Sequence, residues 1–475
     1  MKIKIYNNIF LIAIAIWLNA CKIPTITSKT PSVSMPKNFA LTTTQDSTNI
    51  AELEWRTYFN DPYLIALIDT ALQHNQELNI VLQEIAISNN EIMAKRGEYL
   101  PFVQLNAGAL HDKSGKYTWN GFNEEDLKAN PDKGPKYLGD FMIGATMAWE
   151  LDVWKKLRTA KKSAVLRYLA TTEGKHFLVT NIIAEIANSY YELMALDNML
   201  AIIRQNIAIQ SNALQVVKLE KDAAKVSQLA VNRFEAQLLN TQNLQYAIEQ
   251  QIIVTENNIR LLTGQTSQRI ERNKNFEQLQ INAIASGYPS QLLTHRPDVR
   301  QAELEVAASK LDVAVARANF LPSFRLTANM GLNAFNPTYV LRPDAIMYQI
   351  AGDAIAPLIN RRAIEANYRN ANAKQIQAAF NYERTIVAAY LEVINQLSSV
   401  AQYSNSYTTK AKEVAILTQS INISNDLFRS ARADYLEVLL TQKEALDAKI
   451  ELTEIKLQQL RAHVNIYKAL GGGWK

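Results

Sequence analysis

Apolar and polar positions follow two distinct rhythms along this chain. Residues 102–110 set Val103, Leu105, Ala107 and Ala109 against Gln104, Asn106 and Gly108. Residues 139–150 place Phe141, Ile143, Ala145, Met147 and Trp149 at every second position. Residues 324–332 alternate Phe324, Leu326, Ala328, Met330 and Leu332 with Arg325, Thr327, Asn329 and Gly331, and 345–355 repeats the pattern more weakly through Ile346, Tyr348 and Ile350. A period of two over about 9–11 residues with one apolar face predicts four strands, of a length that fits a membrane-spanning β-barrel. Half-buried hairpins on a soluble sheet would alternate in the same way. The connections 111–138 and 333–343 read as exposed loops.

The second rhythm is helical. Neither residues 175–263 nor residues 358–470 contain a Gly or a Pro. Those residues cost about 1 and 3 kcal/mol in a helix interior, so runs of 89 and 113 residues without them predict long helices. The last run carries a seven-residue register. One seam is Leu436, Lys443, Ile450, Leu457 and Val464, and the other is Leu439, Leu446, Thr453, Leu460 and Tyr467. Two seams kept over several heptads predict coiled-coil-like packing, with Lys443 and Thr453 as exceptions. One helix over 433–470 would be about 57 Å long.

The chain also repeats itself. Glu98-Tyr99-Leu100-Pro101 matches Asn319-Phe320-Leu321-Pro322, each closing a helical run and opening a strand pattern. Val226-Ser227-Gln228-Leu229 echoes Ala433-Asp434-Tyr435-Leu436 about 207 residues later, and Leu262-Thr263-Gly264 echoes Ala469-Leu470-Gly471. Each half therefore reads helix, two strands, two long helices, as expected when one unit is laid side by side around an axis.

Composition narrows the chemistry. With 475 residues and a formal charge of +5, the chain has no basic tract to suggest a nucleic-acid partner. One cysteine excludes an internal disulfide or a thiolate metal cluster. His74, His111, His176, His295 and His463 are scattered, no phosphate loop, dinucleotide motif or nucleophile–base set occurs, and neither catalysis nor a cofactor is expected. Lys2 and Lys4 precede the short apolar run Ile9–Leu18, which reads as an export signal over residues 1–20. Leu18-Asn19-Ala20-Cys21 resembles a lipobox, so Cys21 is the expected lipidation site. Residues 21–50, rich in Thr, Ser and Pro, then read as an acylated N-terminal tether with little core.

Longer motifs resemble one family. Trp55 and Phe59-Asn60-Asp61-Pro62-Tyr63-Leu64 look like its opening signature, with Asp61 capping a helix whose first turn accepts Pro62. His295-Arg296-Pro297-Asp298-Val299-Arg300-Gln301-Ala302-Glu303 and Ala316-Arg317-Ala318-Asn319-Phe320-Leu321-Pro322 follow, then Tyr435-Leu436-Glu437-Val438-Leu439 and the ending Tyr467-Lys468-Ala469-Leu470-Gly471-Gly472-Gly473-Trp474. Together they resemble the TolC-like outer-membrane efflux channels, in the lipoprotein branch that serves resistance–nodulation–division pumps.

The resemblance implies a mainly α fold with a small β-barrel portion. Long coiled-coil-like helices would form a periplasmic α-barrel, and four transmembrane strands per protomer would close a 12-stranded barrel in a homotrimer. It implies a first structural repeat over 51–262, an equatorial linker over 263–294, and a second repeat with a C-terminal equatorial segment over 295–475. It also implies a passive duct exporting small molecules, with a periplasmic adaptor, an inner-membrane transporter and outer-membrane lipid as partners. Leu436 aligns with the family's apolar constriction. Arg429 or Arg432 would link to Asp434 or Asp222 to hold the periplasmic end closed, although Leu440 stands where an acidic residue is usual. Gln104, Asn106, Arg325, Thr327 and Asn329 are the candidate lumen-facing strand residues. Two other readings use the same features: a type I secretion exit channel, and a lipid-anchored coiled-coil scaffold of the envelope without a pore.

Overall fold

The computed structural model describes residues 23–36, 38–39, 49–113, 138–267, 269–279, 285–430 and 432–475. Cys21, the signal-like residues 1–20 and the loop 114–137 lie outside the described residues. Helices α1 (Pro62–His74) and α2 (Gln76–Tyr99) lead into strands β1 (Phe102–Asp112) and β2 (Leu138–Leu151), followed by α3 (Lys156–Asp222) and α4 (Gln228–Thr263). The same succession returns as α5 (Pro297–Ala318), β3 (Ser323–Ala334), β4 (Ile346–Ile355), α6 (Arg362–Arg429) and α7 (Tyr435–Ala469). At 1.5 Å per residue, α3 with 67 residues and α6 with 68 are each about 100 Å long. Among the described residues, no helix is long and apolar enough to cross a membrane.

Local chemistry sets the element ends. Asp61 Oδ1 accepts from the backbone N–H of Tyr63 at 2.9 Å with Pro62 at the first helical position, as expected of this cap. Asp152 does the same for α3, accepting from Leu157 and Arg158 at 2.9 and 3.0 Å. Gly264 ends α4 with φ +66°, and a Cβ there would lie 2.6 Å from the His74 carbonyl oxygen. Gly471, after α7, has φ +91° and the same 2.6 Å approach to the His295 carbonyl oxygen. Asn75 Nδ2 donates to Leu262 O at 2.9 Å, and Arg296 Nη1 donates to Ala469 O at 2.8 Å. The two halves thus close with matching contacts made by different side chains.

One compact unit gathers Ala86–Tyr168 and Leu304–Ala379 with the segment up to Thr30. Its strands form one antiparallel sheet in the order β1-β2-β3-β4. Asp312 stitches α5 to α3, accepting from Ser163 Oγ at 2.6 Å and pairing with Arg167. Aromatic side chains collect where strands meet helices: Trp149 Nε1 donates to Tyr99 O at 3.1 Å, and Trp154 Nε1 to Pro322 O at 2.7 Å.

The other unit comprises Pro31–Ile85, Leu169–Glu303 and Phe380–Lys475. Its core packs Trp55, Phe59, Leu64 and Ile68 against Ile182, Ile186, Tyr190, Leu460 and Tyr467. Tyr58 stacks on Tyr467 with ring centroids 4.1 Å apart, and Tyr467 Oη donates to Leu53 O at 2.7 Å. Along α7, Leu446, Thr453, Leu460 and Tyr467 are buried, so one expected seam holds for most of its length. Lys443 is exposed and Gln442 takes the buried place beside it.

The N-terminal segment departs from the expectation of a tether with little core. Residues 23–36 have no regular secondary structure. Even so, Ile23 and Ile26 pack with Phe320 and Tyr368, Val33 and Met35 with Val299 and Ile386, and Phe39 is buried against Tyr390. An extended backbone gripped by side chains of another element leaves no periodicity to read.

Candidate functional site

The antiparallel register sorts the strand residues onto two faces, because directly opposed residues share a side of the sheet. Gln104 opposes Thr146, Thr146 opposes Asn329, and Asn329 opposes Gln349, giving one polar row across all four strands. Asn106 Nδ2 donates to Thr146 Oγ1 at 2.6 Å. On the same face Arg325 stands between Glu150 and Asp353, and Thr327 between Ala148 and Ala351. Gln104, Asn106, Arg325, Thr327 and Asn329 therefore lie together on one polar face. Thr146, Glu150, Gln349 and Asp353 join them, unnamed from the sequence because only the pairing register reveals them.

The opposite face is apolar across its central rows. Its rows run Val103–Met147–Ala328–Ile350, Leu105–Ala145–Met330–Tyr348 and Ala107–Ile143–Leu332–Ile346. In one chain this face is bare: Leu105 is 87%, Tyr348 80% and Met330 68% exposed. Among the described residues, the edges β1 and β4 have no strand partner. A sheet with one apolar face, one wet face and two open edges can line a water-filled channel in lipid once further copies complete it.

The far ends of the long helices form two hairpin turns of one design. Lys225 N–H donates to Glu220 O and Arg432 N–H to Leu427 O, each at 2.9 Å and 207 residues apart in sequence. Neither turn uses glycine; Ala224 takes φ +56°. Leu214, Val217, Val231 and Phe234 form a small core here, joined by Tyr435 and Leu439 of the second hairpin. Leu436 is half-buried, and Leu440 is 48% exposed. Arg429 ends α6, Arg432 lies in the turn, and Asp434 is the N-cap of α7 without a side-chain cap bond; all three are exposed. Asp222 pairs with Lys221, Nζ to Oδ1 3.4 Å, and among the described residues no ion pair joins Arg429 or Arg432 to Asp434 or Asp222.

The sequence motifs outside these regions do structural work. Arg296 is buried and binds Asp298 at 2.8 Å, Glu392 at 2.7 Å and the carbonyl oxygen of Ala469. Burial works against its charge, but the two carboxylates outweigh it and hold the guanidinium above its ordinary pKa. Trp474 stacks on His176, with ring centroids 4.6 Å apart, and donates from Nε1 to His295 O. The terminal glycines thus let the chain end close over the Arg296 cluster. Among the described residues, no group of His, Cys, Asp and Glu has metal-ligand geometry.

This architecture matches known proteins along nearly its full length. The outer membrane efflux protein family model matches residues 67–265 and 288–472, and the chain belongs to that family. The pyoverdine export outer membrane protein OpmQ of Pseudomonas putida is 26% identical over 470 residues, covering 99% of this chain and 98% of its own. The cation efflux system protein CusC of Escherichia coli O157:H7 is 22% identical over 94% of each chain. In structure, the chain resembles the open state of the Neisseria gonorrhoeae MtrE outer membrane channel with a TM-score of 0.84 at 21% identity, covering 96% of this chain and 98% of that one. The chain is accordingly an efflux component of the outer membrane that extends into the periplasm, with a helical barrel portion and a small strand portion.

Proposed function

We propose that this protein is a passive trimeric duct that carries small molecules across the periplasm and outer membrane. The observation that carries the reading is the sheet itself: among the described residues it has four strands, one exposed apolar face and two open edges. Open edges are not tolerated in hydrocarbon, and small closed barrels begin at about eight strands. Three copies of a four-stranded sheet make a 12-stranded wall with the polar row Gln104–Thr146–Asn329–Gln349 turned to water. Residues 51–262 and 295–475 act as two repeats of one wall unit, joined by 263–294.

A transporter of the inner membrane supplies the energy and a periplasmic adaptor meets the helical hairpin turns. Leu436, related by the three-fold, narrows the closed pore, and in the closed state Arg429 or Arg432 links to Asp434 or to Asp222 of the partner hairpin and holds the tips inward. Cys21 carries the lipid anchor. The test is electron microscopy of the protein extracted from outer membranes in mild detergent. Three-fold particles with a through-channel are expected; compact monomers or solid rods would overturn the reading in favour of a scaffold.

A further inference from the structure

In the strand-bearing unit, α6 grips an extended piece of backbone with two buried amides. Gln375, 1% exposed, accepts from Lys29 N–H at 3.1 Å and donates back to Lys29 O at 2.7 Å, as a neighbouring strand would. Asn372, 8% exposed, donates to Thr27 O at 3.0 Å. Ile23 and Ile26 then pack into the cluster of Ala316, Phe320 and Tyr368. Phe320 lies just before Ser323, the first residue of β3, and Tyr368 is in the second turn of α6, which follows β4. The grip is on main-chain atoms, which any residue offers, so it holds the backbone, while Ile23 and Ile26 in their apolar cluster fix which residues occupy it.

We infer that Asn372 and Gln375 act as a clamp that sets the height at which the N-terminal end of the mature chain meets the membrane surface. This rests on the reading of Cys21 as the lipid anchor. Two residue steps separate Cys21 from Ile23 in the sequence, and an extended chain spans at most about 3.6 Å per residue, so a lipid carried on Cys21 is tethered to the docked Ile23 by no more than about 7 Å of backbone. Buried polar groups are costly to leave unpaired. Gln375 spends both ends of its amide on Lys29 and Asn372 its amide N–H on Thr27, so undocking the segment would strip buried groups of their partners. The lipid surface is the partner this docking serves: acyl chains enter beside the apolar strand face, in the leaflet next to the periplasm.

The experiment uses the full-length chain in reconstituted vesicles. Thr25, which is exposed, is replaced (Thr25→Cys) and given a nitroxide, and its depth is read from collision with oxygen and with a water-soluble nickel chelate. The expected result is a label at headgroup level that keeps this depth in Cys21→Ser and moves into bulk water in Asn372→Ala/Gln375→Ala. Gln375→Glu, which keeps the shape but loses the amide donor, gives the same outward shift if the double variant fails to assemble. An unchanged depth in the clamp variants, or a shift in Cys21→Ser alone, overturns the inference. Labelled palmitate incorporation decides separately whether Cys21 is acylated. Without it the anchor reading falls, and with it the role of the clamp in placing a lipid, while the depth measurement still reports whether the clamp holds the segment.

Discussion

At the residue scale, Arg296 shows how a conspicuous motif can be structural. Its guanidinium serves Asp298, Glu392 and the Ala469 carbonyl together from a buried site. Removing one partner of a buried charge cluster costs about 3–5 kcal/mol because the remaining charges stay buried. Arg296→Ala is therefore expected to lower the thermal midpoint sharply, and Arg296→Lys to recover little, since an ammonium lacks the fork that serves Asp298 and Glu392 together. Circular dichroism melts of the detergent-solubilised protein check both. His463 provides a pH signature: burial, reinforced by Lys456, pushes its pKa down from 6.5 to about 4. Between those values the unfolded chain binds a proton that the folded chain refuses, so stability falls as pH drops through this window. The loss amounts to about 3 kcal/mol per chain at 1.36 kcal/mol per unit. Thermal midpoints measured from pH 7 to pH 4 should fall less in His463→Asn than in the wild type. Leu436→Ser is expected to raise the closed-state conductance in planar bilayers and drug permeability in cells; unchanged values remove Leu436 from the gate.

The strands were legible at the element scale because alternation runs cleanly through the first three and more weakly through the fourth, and every observed end lies within two residues of the expected one. The wet-face partners were not, because Glu150 and Asp353 become neighbours of Arg325 only through register. The hairpin turn at Ala224 gave no sign of its own, since it adopts φ +56° without glycine. Only its echo later in the chain marked it. The docked N-terminal segment was equally silent, its determinants being Asn372 and Gln375 on a distant helix. The apolar face makes a sharp prediction for its centre. Met330→Arg places a charge in a row with Leu105, Ala145 and Tyr348, at a cost of about 2–4 kcal/mol at a bilayer midplane. Asn329→Arg, one residue along on the wet face, should be tolerated. Yields of folded protein from outer membranes compare the two.

At the scale of the whole molecule, the two halves of the chain close with the same geometry through different residues. Asn75 and Gly264 do in the first half what Arg296 and Gly471 do in the second. That equivalence explains why repeat signals were readable at the glycines and absent at the side chains beside them: a left-handed backbone tolerates few substitutes, whereas a carbonyl accepts from any donor.

The bare apolar face of the single-chain sheet has a consequence for how the protein is made. In the trimeric duct proposed above, Leu105, Met330, Tyr348 and Ile350, exposed in the single chain, would have neither lipid nor a closed wall around them until the chains meet. The rate-limiting event in biogenesis is then an encounter between chains, so the yield of mature assembly should depend on chain concentration more steeply than first order. Pulse-chase labelling at graded expression checks this, with SDS-resistant oligomer as the readout. A half-time independent of expression would mean that each sheet is already sheltered before its partners arrive.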